Sequence, residues 1–216
     1  MSFFSWEKFN ALPVVGILRN FPAAQTDTLA ARYADAGLTC LEVTMNTEGA
    51  AETIARLGET FAGRLNIGAG TVCTRQDLDK ALGAGAAFIV TPILAGTVIK
   101  TCVRKGIPVF PGAYTPTEIY QAWSMGAHMI KVFPASGLGP AFIKEVLAPL
   151  DKLKLMPTGG VGLDNFEEYL RAGAAGLGIG SGLFPRDLVK EERWDELSGL
   201  FARFVAAFHR YKNTTI

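Results

Sequence analysis

Lys131 stands where a lysine is costly. In HMIKVFPAS (128–136), Met129, Ile130, Val132 and Phe133 form a run apolar on both faces, the pattern of a parallel strand covered by helices. An ammonium in such a strand must be paired, neutralised or used. One reading is plain packing, with the stem buried and the head escaping at the strand end. The other is a functional lysine at the mouth of a barrel. A second ionisable group breaks another apolar strand, Glu42 in TCLEVT. A structural ion pair would explain both. So would a lysine made nucleophilic by burial beside a carboxylate that shuttles protons. A buried amine keeps a useful neutral fraction near pH 7 and can attack a carbonyl to form an imine. The third signal is PTGG (157–160) followed by GIGS (178–181). Glycines let backbone N–H groups approach an anion, and such loops suit a phosphorylated ligand without specifying a reaction.

The elements that must hold these residues repeat along the chain. Helix-like stretches end in Gly37, Gly63, Gly85, Gly106, Gly126 and Gly173, and each glycine is followed within a few residues by an apolar strand. This is the expected helix-to-strand loop chemistry. With VVGIL (14–18) at the front and KLKLMP (152–157) in the one double gap, eight strands alternate with helices. That count favours a closed (β/α)8 TIM barrel over an open sheet. The second and sixth strands carry Glu42 and Lys131, and alternate strands of a barrel fill the same interior layers. Residues 25–36 place Leu29, Ala30 and Tyr33 on one face, and 163–172 start a helix with Asp164 as its N-cap. From Glu192 to Tyr211, one stripe carries Trp194, Leu197, Phe201, Phe204, Val205 and Phe208 for core packing. SWEKFNAL reads as a short helix capping the barrel bottom. No linker appears, so residues 1–216 are expected to form a single domain.

Composition limits the alternatives. The 216 residues are 49% hydrophobic and 19% charged with net charge +1, which suits one globular core and leaves no electrostatic footprint for nucleic acid or an anionic membrane. Cys40, Cys73 and Cys102 lack metal or redox spacing and read as small buried residues in a reducing compartment. The N-terminus has no basic segment before its short apolar run, so a cytoplasmic location is expected, with no membrane span.

Taken in order, GILR (16–19), EVT (42–44), GAGTV (68–72), IVTP (89–92), PG (111–112), IKVFPA (130–135), PTGG and GIGS resemble the class I aldolases acting on 2-keto-3-deoxy-6-phosphogluconate (KDPG) and 4-hydroxy-2-oxoglutarate (KHG). The resemblance covers nearly the whole chain and is carried most specifically by IKVFPA and GAGTV. It implies a carbon–carbon lyase in which Lys131 forms a Schiff base with the keto group and Glu42 is the general acid/base. Arg19 and Thr71 would hold the pyruvate carboxylate, with Phe133 and Pro92 at the pocket wall. Thr158, Gly159, Gly160, Gly180 and Ser181 would bind the phosphate. It further implies a homotrimer, small-molecule keto-acid or phosphorylated sugar-acid substrates, and no metal or organic cofactor. One departure stands out: after EVT, KDPG aldolases usually place a residue and then a carboxylate-binding arginine, whereas this chain has Met45-Asn46. Asn46 is more like the relatives that cleave the C4 epimer, 2-keto-3-deoxy-6-phosphogalactonate (KDPGal). Replacing arginine by asparagine removes a bidentate, permanently charged donor, which Arg19 can offset from the first strand. The competing readings are a metal-assisted aldolase or phosphosugar isomerase, and a non-catalytic phosphosugar-binding barrel.

Overall fold

A computed structural model describes residues 4–214 as alternating strands and helices. The first helix, α1 (Trp6–Ala11), is capped by Ser5, whose hydroxyl accepts from the Lys8 N–H. Nine strands follow: β1 (Val14–Leu18), β2 (Cys40–Thr44), β3 (Asn66–Gly70), β4 (Ile89–Val90), β5 (Val109–Phe110), β6 (Gly112–Ala113), β7 (Ile130–Val132), β8 (Leu155–Pro157) and β9 (Leu177–Ile179). All pairings are parallel. One ladder runs β5-β4-β3-β2-β1-β9 and the other β6-β7-β8.

The ninth strand is β6, which lies past Pro111 in the stretch expected as the loop after the fifth strand. Proline has no N–H to give the ladder, yet its carbonyl still accepts from Lys131 N–H at 2.9 Å. A second junction, the lone Thr158–Gly178 bridge, joins the β8 end to β9. Ala175 N–H also donates to the Leu155 carbonyl at 2.8 Å.

The periodic glycines do what their spacing predicts. All six adopt positive φ, between 66° and 99°. Helix α2 (Ala23–Asp35) shows the consequence: the N–H of Leu38, just past Gly37, reaches back to the Tyr33 carbonyl and closes a Schellman turn before β2 starts. Its Leu29, Ala30 and Tyr33 are buried as expected.

Side-chain alternation then assigns the faces. In β1, Val14 and Leu18 face the helices, and Gly16 lets the Tyr33 hydroxyl of α2 accept its N–H. Val15 joins an inner cluster with Phe9, Cys40, Phe88, Val90, Phe110, Met129 and Met156. Phe9 comes from α1, with Trp6 packed beside it, so this helix closes the inner cluster as expected of a cap. In β2, Leu41 and Val43 face the helices while Cys40 and Glu42 turn inward; in β7 the pair Ile130 and Val132 faces out and Lys131 turns in. A carboxyl and an amine thus share the interior set.

Several local expectations need correction. Asp164 does not cap its helix: α8 is Phe166–Arg171 with Asn165 at the N-cap position, and the Asn165 side chain instead ties Gly160 and Gly162 together. The final helix is Trp194–Thr214, starting after a left-handed Glu192, and it buries Leu197, Phe201, Phe204 and Phe208. Trp194 and Val205 pack only partly. Cys40 and Cys102 are buried, but Cys73 is half-exposed in the loop after β3. Among the described residues no helix is long and apolar enough to cross a membrane.

Candidate active site

A cavity of about 180 Å³ opens where the strands end. Its wall takes Ile17 and Arg19 from β1 and the turn after it, Glu42 and Thr44 from β2, Thr71 after β3, and Pro92 after β4. Lys131 and Phe133 come from β7 and its end, Thr158 to Val161 from the loop after β8, and Gly180, Ser181, Phe184 and Arg186 from beyond β9. Of the residues singled out in the sequence, only Asn46 is missing from this wall; it is exposed in the turn after β2.

Lys131 is 6% exposed and Glu42 1%. Both line the cavity, but no ion pair joins them, so a structural salt bridge does not account for their burial. The Lys131 ammonium lies 5.0 Å from the centre of the Phe133 ring, close enough for a cation–π contact. Burial pushes the Glu42 carboxyl above the ordinary carboxylate range, while the positive charges of Lys131 and then Arg19 oppose that rise. Glu42 Oε2 is buried with no hydrogen-bond partner among the described residues. Such an orphan is expensive inside a fold and is retained where a reacting group will meet it.

Gly70 makes the space for this carboxyl. A methyl group there would come within 2.3 Å of Glu42 Oε1 and 2.7 Å of its Cδ. Gly70→Ala is therefore expected to displace the carboxyl, lower kcat at least ~10-fold, and cost about 1–3 kcal/mol of stability through overpacking. Steady-state rates and a urea midpoint check both, and unchanged kcat would mean the carboxyl position does not matter.

Next to Gly70, Thr71 holds a left-handed backbone, φ 57°, which a β-branched residue adopts only under constraint from its surroundings. At the opposite side Gly159 and Gly160 also have positive φ, and a methyl group on Gly160 would press on Ser136 at 2.7 Å. Asn165 pins this loop by donating to the Gly160 carbonyl at 2.8 Å and accepting from Gly162 N–H at 3.0 Å. Three cationic side chains, Arg19, Lys131 and Arg186, face the cavity against the one carboxyl of Glu42, which suits a polyanionic ligand. Sequence reasoning reached Thr44 only as part of EVT on the rim, and did not reach Phe184, Arg186 or the tethering Asn165. The FPR run just after GIGS was the available signal for Arg186.

Fold and cavity together define a parallel α/β enzyme with a buried lysine and a buried carboxyl on one cavity wall. Residues 6–200 match the aldolase family model described as KDPG and KHG aldolase, and the chain belongs to that family. A 2-dehydro-3-deoxy-phosphogluconate aldolase of Haemophilus influenzae is 35% identical over 195 residues, covering 90% of this chain and 92% of that protein. A solved structure described as native KDPGal superposes with a TM-score of 0.88 at 29% identity, covering 99% of this chain and all of its own. KDPG aldolase from Legionella pneumophila, captured with pyruvate as a covalent carbinolamine intermediate, superposes with a TM-score of 0.83 at 30% identity over 90% of this chain and 95% of that one.

Proposed function

We propose that this chain is a class I aldolase that reversibly cleaves KDPG to pyruvate and glyceraldehyde 3-phosphate, with Lys131 as the imine-forming amine. The observation that carries the reading is the single cavity wall shared by an unpaired buried amine and an orphaned buried carboxyl. The Lys131 amine adds to the C2 carbonyl, and loss of water from the carbinolamine leaves an iminium ion. The iminium draws in the electron pair of the C3–C4 bond as the C4 hydroxyl gives up its proton. Glyceraldehyde 3-phosphate departs and an enamine remains. Protonation at its terminal carbon and hydrolysis release pyruvate and restore the amine. Glu42 is the group that takes and returns these protons, and its raised pKa leaves it partly protonated at higher pH than an ordinary carboxyl.

Arg19 and Thr71 hold the pyruvate carboxylate, Phe133 and Pro92 wall the pocket, and Thr158, Gly159, Gly160, Gly180 and Ser181 receive the phosphate. KHG, split to pyruvate and glyoxylate, fits the same imine chemistry. The chain is read as one domain forming a closed (β/α)8 barrel; the hydrogen bonds flanking Pro111 and the bridge at Thr158 support closure of the two ladders into one ring. A cytoplasmic homotrimer is the assembly that membership of the family suggests.

Asn46, standing where KDPG aldolases usually have arginine, favours a second reading with KDPGal as substrate. A lactate dehydrogenase-coupled assay on KDPG, KDPGal and KHG tests both. Pyruvate release fastest from KDPG is expected; faster release from KDPGal would move the assignment to the epimer. No pyruvate from any of the three would overturn the aldolase reading and leave a phosphosugar-binding barrel. Activity abolished by EDTA would favour the metal-assisted alternative.

A further inference from the structure

We propose that Arg186 is the cation that binds the phosphate end of the substrate, leaving Arg19 to serve the carboxylate end. This rests on the aldolase reading above. Glycine N–H groups and the Ser181 hydroxyl supply hydrogen bonds to a phosphate but no net charge. A phosphate dianion entering a partly desolvated cavity needs a formal positive partner as well. The wall offers three: Arg19, Lys131 and Arg186. Lys131 is committed to the keto carbon. Arg19 follows β1, whose Ile17 pairs in register with Glu42 of β2, and its charge is felt by that carboxyl, whereas Arg186 is not among the charges that shift it. Arg186 instead follows Gly180, Ser181 and Phe184 on the same stretch of wall, at the first residue of α9 (Arg186–Lys190).

The side chain is also available. Arg186 is exposed and makes no ion pair or hydrogen bond among the described residues, in contrast to Arg193 seven residues on, which is engaged by Glu196 and Glu191. A free guanidinium at the cavity mouth presents a planar fork that matches two phosphate oxygens. Specificity for the phosphorylated substrate then resides in a residue outside the glycine motifs.

Arg186→Gln and Arg186→Lys test this, with two readouts. The first is steady-state cleavage of the phosphorylated keto acid. The second is exchange of the pyruvate methyl protons for deuterium, followed by NMR, which needs the imine and the proton shuttle but no phosphate. For Arg186→Gln, kcat/KM on the phosphorylated substrate is expected to fall about 30-fold, the scale of a lost charge-assisted contact, mostly through KM. Pyruvate exchange should change less than ~3-fold, and Arg186→Lys should recover part of the loss. A KM within ~3-fold of wild type, or exchange falling in parallel with cleavage, would overturn the assignment. In that event wild-type exchange and pyruvate release would still uphold the aldolase reading, while a wild type capable of neither would remove both.

Discussion

Lys131→Ala is expected to lower kcat by about 10⁴-fold or more, the scale on which loss of a covalent nucleophile is felt. Without the amine no iminium forms, and the C3–C4 electron pair has no sink. The fold should survive, because Ile130 and Val132 carry the helix-facing side of β7 while Lys131 projects only into the cavity. Truncation there also removes a buried ammonium that makes no ion pair among the described residues. Lys131→Arg should fail as completely, since a guanidinium does not deprotonate to a nucleophile. Circular dichroism at wild-type level beside absent turnover is the expected pair of results. Retained turnover in either variant would contradict imine chemistry.

Glu42→Gln is expected to lower kcat by ~100-fold or more, within the usual range for a general acid/base. Gln keeps the shape of the side chain in the space left by Gly70 but cannot move a proton. The same variant carries a stability signature. Burial raises the Glu42 pKa above its unfolded value, so the folded protein binds that proton more tightly than the unfolded chain. Its favourable contribution is complete below the ordinary carboxyl pKa and is lost as pH climbs through the raised one. Glu42→Gln does not titrate there, so its stability relative to wild type should rise with pH across that window and level off above it. Urea midpoints measured over the acidic to neutral range check this. A difference independent of pH would mean that the carboxyl is not held in its buried, proton-binding state.

The shared inward placement of Lys131 and Glu42 was legible because both interrupt apolar strands, and a period-two alternation sends each inward once its strand is paired. The helix stops were legible for a similar reason: a glycine between a helix and a strand marks a left-handed C-cap, and all six adopt that conformation. The stop at Pro111 was present in the residue type, since proline cannot donate to a ladder, but nothing in Gly112-Ala113 marks the two-residue strand that pairs with β7 beyond it. The helix at 166 was misread by one residue because Asp164 and Asn165 are both good caps. Which one turns toward the loop depends on the tertiary placement of Gly160 and Gly162. Arg186 escaped notice because an arginine in a loop is ordinary in sequence; its meaning comes from the wall it shares with Gly180 and Ser181. Asn46 shows the reverse. Its place after EVT is plain in the sequence, whereas its position, exposed in the turn after β2 and outside the cavity wall, comes only from the fold.

The central claim is that the buried Lys131 amine reacts covalently with a keto acid. Borohydride reduction in the presence of pyruvate, read by intact and peptide mass spectrometry, tests it most directly. A single stable pyruvyl adduct on the peptide containing Lys131, absent from Lys131→Ala, is the predicted result. No adduct on the wild-type protein, or an adduct on a different lysine, would contradict it.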